Sequence, residues 1–568
     1  MLKNIIEQGT GRKKADLVLK NGRFVNVFTG EITEADIAIC GDKIVGFGKY
    51  EGEKEIDITG KIALPGYIDA HVHIESSQLT PEEFAKLVMP HGTTTIIADP
   101  HEITNVCGIA GAEYIAEASS HTPLEVHVML PSCVPATPFE TSGATLSGKD
   151  IEKYIKEDFV FGLGEFMNYP GVVNADEDVL RKLEAAATAG KIIDGHAPNT
   201  GGIELNGYIA AAIKTDHECA TPEEAREKIS KGMYVHLREG SATRNVACNV
   251  KAVDEKNMRR FLFCTDDRHA ADLVANGHLD NALRVAVENG LDPVWAVTIA
   301  TLNAAECYRL TNKGAIAPAY DADIVVVDNL KSFDAQLVLK SGKVVAEGGK
   351  ALFETKKYLP SAVKNTIRIK PVCADDFRIS LRGDRANVMR IVKGGVVTEK
   401  VVREVKSEEG DVVLSGTDLL KLAIVERHHR TGNIGKALLE GYGLKGGAIA
   451  LTISHDSHNI VVLGDNNEDM ASAVKEIERI GGGMVIIDSG AAYSYPLDIA
   501  GLMSSSSAEE FVKASESLLN RAYAMGVSRD YEAFMSLSFL GLAVIPALKL
   551  TDKGLFDVTT FSFTDINA

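Results

Sequence analysis

The stretch "DAHVHIESS", Asp69 to Ser77, decides how the rest of the chain is read. It follows the apolar "KIALPGYI", and in a β-strand residues i and i+2 project from the same face, so His71 and His73 would stand side by side at a strand end. That is a chelating arrangement. It is equally the pattern of two stacked surface imidazoles, so the rest of the chain has to supply the partners.

Outward from that strand, apolar runs that end in polar residues alternate with helical patterns, as parallel βα units require. In order they are "IDAHVHIE", "TTTIIADPHE", "LEVHVMLPS", "FVFGLGEFM", "KIIDGHAPN", "AAIKTDHE", "MYVHLREGS" and "RRFLFCTDDRH". Eight such runs between residues 68 and 269 suit an α/β chain with a (β/α)8 TIM-like barrel, whose chemistry gathers at the C-terminal strand ends. Those ends supply partners: Glu165 closes the fourth run, His196 the fifth, His217 the sixth and Asp266 the eighth. With His71 and His73 they make four imidazoles and two carboxylates, enough for two divalent metals with a position left for water.

Short alternating strands with tight-turn residues fill residues 1–60, and the same texture returns at 311–362. Both ends of the barrel segment, 61–310, are therefore expected to pair into one small flanking β-sandwich. Residues 363–568 mix α and β patterns with Gly-rich turns and read as an independent C-terminal α/β domain. In it, "ERHHRTGNIGKALL" (426–439) reads as a helix ending before Gly432, its histidines near the C-terminus, where cations are favoured. "TISHDSHN" (452–459) reads as a polar turn after a strand, with Asp456 as its cap.

A chain of 568 residues is too long for one core. With 45% hydrophobic and 24% charged residues it is globular rather than disordered, and a net charge of −19 argues against a nucleic-acid partner. Eight cysteines without a C-x-x-C pair indicate neither a zinc ribbon nor a disulfide framework. The N-terminal residues lack the apolar core of a signal peptide, and the longest apolar stretch, "FLGLAVIPAL", is too short for a bilayer. The expectation is a soluble cytoplasmic chain without a membrane partner.

The chain resembles the amidohydrolase superfamily over residues 15 to 350, through "HVH", the two later histidines, the strand-eight Asp and "GAIAPAYDADIVVVD". Within it the chain is similar to the adenine deaminases over nearly its whole length, through "HVHIESS", "ADPHEITNV", "GLGEFMNYPGV", "DGHAPN", "TDHECAT", "LREGSATRN", "TDDRH", "ERHHRTGNIG" and "SHDSHN". Many superfamily hydrolases carry a carboxylated lysine on strand four. Glu165 occupies that place here. The resemblance implies His71, His73 and Asp266 on one metal, His196 and His217 on the other, and Glu165 between them, with Mn2+ or Fe2+ ahead of Zn2+. It implies deamination of adenine to hypoxanthine and ammonia in purine salvage, a metal-bridged hydroxide attacking C6 and Asp266 shuttling the proton.

Glu218 joins Asp266 and Glu165 as a catalytic candidate. Glu102 is a second acid able either to contact purine nitrogens or to orient a neighbouring ligand. Arg238 and Glu239 would line the pocket or pair with each other, and His101 would approach the site or lie beside the barrel. His455 and His458 are expected to bind substrate as the C-terminal domain closes over the barrel mouth, in its own chain or in that of a homodimer partner. The competing readings are a hydantoinase- or dihydropyrimidinase-like cyclic-amide hydrolase and a non-catalytic barrel scaffold.

Overall fold

The computed structural model describes residues 2–568. Its centre is a ring of eight parallel strands: β1 (Tyr67–Val72), β2 (Thr93–Ala98), β3 (Glu125–Leu130), β4 (Val160–Phe166), β5 (Ile192–Gly195), β6 (Thr215–Asp216), β7 (Tyr234–Arg238) and β8 (Phe261–Cys264). The strands pair in two ladders, β5-β4-β3-β2-β1 and β6-β7-β8. A parallel bridge between Val72 and Asp266 joins β8 to β1, and the Lys214 N–H on the Ile193 carbonyl, 3.0 Å, joins β6 to β5. Both faces of these strands are buried, so they read as unbroken apolar runs rather than as alternation.

Beside the barrel, a four-stranded sheet from residues 15–57 faces a seven-stranded sheet. The seven-stranded sheet is assembled from both flanks of the barrel: Ile62–Pro65 pairs antiparallel with Ile324–Val327 and parallel with Arg23–Asn26. Leu19, Phe24, Ile39, Ile324, Val326 and Leu339 interdigitate between the two sheets. This is the β-sandwich expected from the two ends of the barrel segment.

The C-terminal region is built on an eight-stranded, mainly antiparallel sheet. Period-two alternation gives it two apolar faces. Ala423, Val425, Ala450, Val462 and Val485 pack on helix Asn467–Ile480, whereas Leu422, Ile424, Leu451, Leu463 and Ile486 belong to one apolar cluster that runs on into the barrel. The same cluster takes in Phe511, Leu518, Phe534 and Leu537 of the C-terminal region itself, so this face of the sheet is packed by the region's own helices as well as against the barrel.

The expected helix ending before Gly432 is absent. Leu419–Val425 and Ile434–Glu440 form an antiparallel hairpin, Val425 opposite Ile434, with a loop between them. The Glu426 carboxylate accepts the backbone N–H groups of His428, His429 and Thr431 at 2.5, 2.6 and 2.8 Å, which folds the loop around one side chain and replaces helical hydrogen bonding. "TISHDSHN" is a second hairpin loop, between Gly447–Leu451 and Ile460–Gly464. His428 Nε2 bonds the Ser457 carbonyl at 2.7 Å, and His429 Nε2 bonds the carbonyl of Ser142 in the loop after β3 at 2.9 Å. The two hairpin loops thus brace each other over the barrel mouth.

Candidate active site

Every barrel ligand candidate lies at or just beyond a C-terminal strand end, and His71, His73, Glu165, His217 and Asp266 are all buried. Glu165 is the hub. Its Oε1 is 3.3 Å from His73 Nε2, 3.6 Å from His71 Nε2 and 3.3 Å from His101 Nδ1. Its Oε2 is 2.6 Å from His196 Nδ1 and 3.3 Å from His217 Nε2. The two carboxylate oxygens face two different imidazole sets. Asp266 Oδ1 stands 3.0 and 3.5 Å from the Nε2 atoms of His73 and His71, on the side of the first set.

The donor set fits divalent cations. His73 Nδ1 lies 2.7 Å from the Asp99 carbonyl, which can only accept, so Nδ1 carries a proton and the other ring nitrogen, Nε2, is turned toward Glu165 and Asp266. His71 Nε2 is buried without a hydrogen-bond partner. Burial opposes protonation of His73 and His217, yet nearby carboxylates, Glu165 and Asp266 for His73 and Glu165 first for His217, pull both well above the ordinary histidine range. That is an excess of negative charge of the kind a cation offsets. All donors are nitrogen or oxygen, and the groups His71–His73–Asp266, His71–Glu165–His217 and His196–His217–Glu218 are each compact enough for an ion.

Behind the ligands a charged chain runs along the pocket side. Arg238 is buried and donates through Nη1 to Asp266 Oδ2 at 2.5 Å and to Glu218 Oε1, and through Nη2 to Glu218 Oε2 at 3.1 Å. Burial alone would raise the Asp266 pKa, but Arg238 with His71 and His73 holds this carboxylate well below its usual range. Asp266 has φ 55°, a left-handed conformation sparsely used by non-glycine residues, and it aims the carboxylate back across the barrel mouth. Arg238 does not pair with Glu239, whose nearest cation is Arg244 at 4.0 Å. Glu239 lies one residue past the end of β7 and does not line the pocket, unlike Arg238.

His101 reaches both Glu165 and, through Nε2, Glu102 Oε1 at 3.5 Å. Glu102 in turn is clamped by the C-terminal domain. His455 Nδ1 bonds its Oε1 at 2.6 Å and His458 Nε2 bonds its Oε2, residues more than 350 positions away in sequence (|i−j| 353 and 356). The Ser454 N–H points at His458 Nδ1, 3.2 Å, so Nε2 is the protonated nitrogen and donates to Glu102. This group too has the composition of a metal site. Here His455 takes one carboxylate oxygen and His458 the other, so that the three side chains form a hydrogen-bonded clamp.

The pocket above the hub has a volume of about 520 Å³. Polar residues, among them Glu102, Glu165, Glu218, Arg238 and Asp266, line it together with apolar residues, of which Val396, Phe539, Leu542, Ile545 and Pro546 come from the C-terminal domain of the same chain. His455 lines the pocket, whereas His458 touches it only through Glu102. Sequence reasoning missed Asp99, which fixes His73 through its carbonyl and accepts the Glu165 N–H on Oδ2 at 2.7 Å. It also missed the apolar lining, which has no local motif.

Residues 62–345 match the Amidohydrolase family, and the chain belongs to it. Residues 395–562 match the Adenine deaminase C-terminal domain. The chain is 49% identical over 562 residues to the adenine deaminase of Clostridium acetobutylicum, covering 98% of this chain and 99% of that one. It is 49% identical over 568 residues to that of Nitratidesulfovibrio vulgaris strain DP4, covering 100% and 99%. Within the family it belongs with the adenine deaminases.

Proposed function

We propose that the chain hydrolyses adenine to hypoxanthine and ammonia. The observation that carries the reading is Glu165, whose two oxygens face separate imidazole sets at the base of a pocket lined by charged and apolar side chains. His71, His73 and Asp266 would hold one divalent cation and His196 and His217 the second, with Glu165, whose two oxygens face both sets, as the residue they would share. When bound, such a pair supplies positive charge that makes water a competent nucleophile near neutral pH.

The protein's own groups manage the rest. Asp266 takes a proton from the attacking water on Oδ2 as the C6–O bond forms, and Arg238 remains paired with Glu218 when that oxygen is occupied. The proton then passes to the amino nitrogen as the C6–N bond breaks, so that ammonia rather than amide ion leaves. Glu218, anchored by Arg238, and Glu102, anchored by His455, present ordered carboxylates to the ring edge. Phe539, Leu542 and Ile545 cover the base and exclude bulk water.

For the cation we favour manganese or iron over zinc, since the donors are imidazole and carboxylate without thiolate. A homodimer working in cytoplasmic purine salvage is the setting we favour, homodimers being the commonest assemblies of such enzymes. No described helix is long and apolar enough to cross a membrane. The test is a substrate panel of adenine, adenosine, cytosine and hydantoin with the metal-loaded protein, reading ammonia and ring opening. Ammonia from adenine, with kcat/KM at least ~10²-fold above adenosine, is the expected result. Ring opening of hydantoin without ammonia from adenine would instead favour a cyclic-amide hydrolase.

A further inference from the structure

Asp456 sits between the two clamping histidines yet takes no part in the clamp. It is 4% exposed, it lines the pocket together with Glu165 and Asp266, and its Oδ2 has no hydrogen-bond partner. The nearest cation is His455, whose Nδ1 is 4.0 Å from Oδ1 and already committed to Glu102 at 2.6 Å. A buried carboxylate oxygen left unpaired costs stability, and its retention in a substrate pocket calls for a ligand that completes it. Burial and the neighbouring Glu102 push Asp456 up to about 6, which leaves it ionised, an acceptor only, above that pH. Glu165 also acts on it, as does Glu140, from the loop after β3, which burial and Asp456 push up to about 8.

We propose that Asp456 is a specificity residue that accepts the imidazole-ring N–H of the free purine base. The inference rests on the adenine reading above. In adenine every ring nitrogen but one presents a lone pair, and the single ring N–H is carried on the five-membered ring. A carboxylate acceptor therefore selects that edge. Substitution at N9 puts carbon in place of the donor hydrogen and leaves the carboxylate without its partner, so nucleosides are refused by the unpaired charge as well as by bulk. Sites built around a substrate N–H reject analogues that lack it by roughly 10⁴–10⁵-fold.

The test compares adenine with 9-methyladenine, which removes the N9–H for the size of one methyl group, on the metal-loaded full chain and on Asp456→Asn and Asp456→Ala. Wild type is expected to prefer adenine by at least ~10³-fold in kcat/KM. Asp456→Asn should lower kcat/KM for adenine by about 10²-fold, mainly through KM, and bring the preference to within about 10-fold, with metal content unchanged. Asp456→Ala, which cannot donate or accept, should show the same collapse of preference. If wild type deaminates adenine and both variants keep the wild-type preference, Asp456 is structural and this inference falls alone. If wild type does not deaminate adenine, the parent reading falls with it.

Discussion

Asp266→Asn is expected to lower kcat by at least ~10²-fold while the protein stays folded and keeps most of its metal. Asparagine tolerates the left-handed backbone that Asp266 adopts, φ 55°, so the substitution leaves the turn after β8 intact. The amide oxygen can take the place of Oδ1, 3.0 and 3.5 Å from His73 and His71. The amide nitrogen must then face Arg238 Nη1, which stands 2.5 Å from Oδ2 in the wild type. Donor against donor is unfavourable there, and Arg238 relaxes toward Glu218, its other partner. What the amide cannot do is accept a proton and return it. Steady-state kinetics with elemental analysis of the same sample checks this. A variant that deaminates adenine near the wild-type rate removes Asp266 from proton transfer.

Glu165→Gln should act on metal binding first. In the wild type each oxygen serves one imidazole set, and glutamine keeps only one oxygen. Its NH2 has to face either His73, His71 and His101 or His196 and His217, and it carries no charge to offset a cation. Bound metal is expected to fall from two ions per chain toward one, and activity to fall at least as far as for Asp266→Asn. The backbone should hold, because the residue's N–H stays on Asp99 Oδ2 at 2.7 Å. Two ions retained with unchanged affinity would show that Glu165 does not bridge.

The barrel was legible because its strands are buried on both faces and end in polar residues, so that each β-run and its polar terminus stand out in the same short stretch. His71, Glu165, His196, His217 and Asp266 could be named that way. The β-sandwich was visible as texture at both ends, though the pairing of Ile62–Pro65 with Ile324–Val327 is a long-range fact. Where a helix ending before Gly432 was expected, a single glutamate, Glu426, supplies through its side chain the acceptors that a helix would supply through its backbone. Asp99 works partly through a carbonyl, which every residue has, and so leaves no signature. Glu102 and its clamp are joined across more than 350 residues, a distance that no local pattern spans.

The most direct test of the two-metal account is a titration of metal-free protein with Mn2+, following hypoxanthine formation from adenine as metal is added. The account predicts activity rising to a break at two equivalents per chain, with no further gain beyond it. A break at one equivalent, or full activity in the metal-free protein, would contradict it.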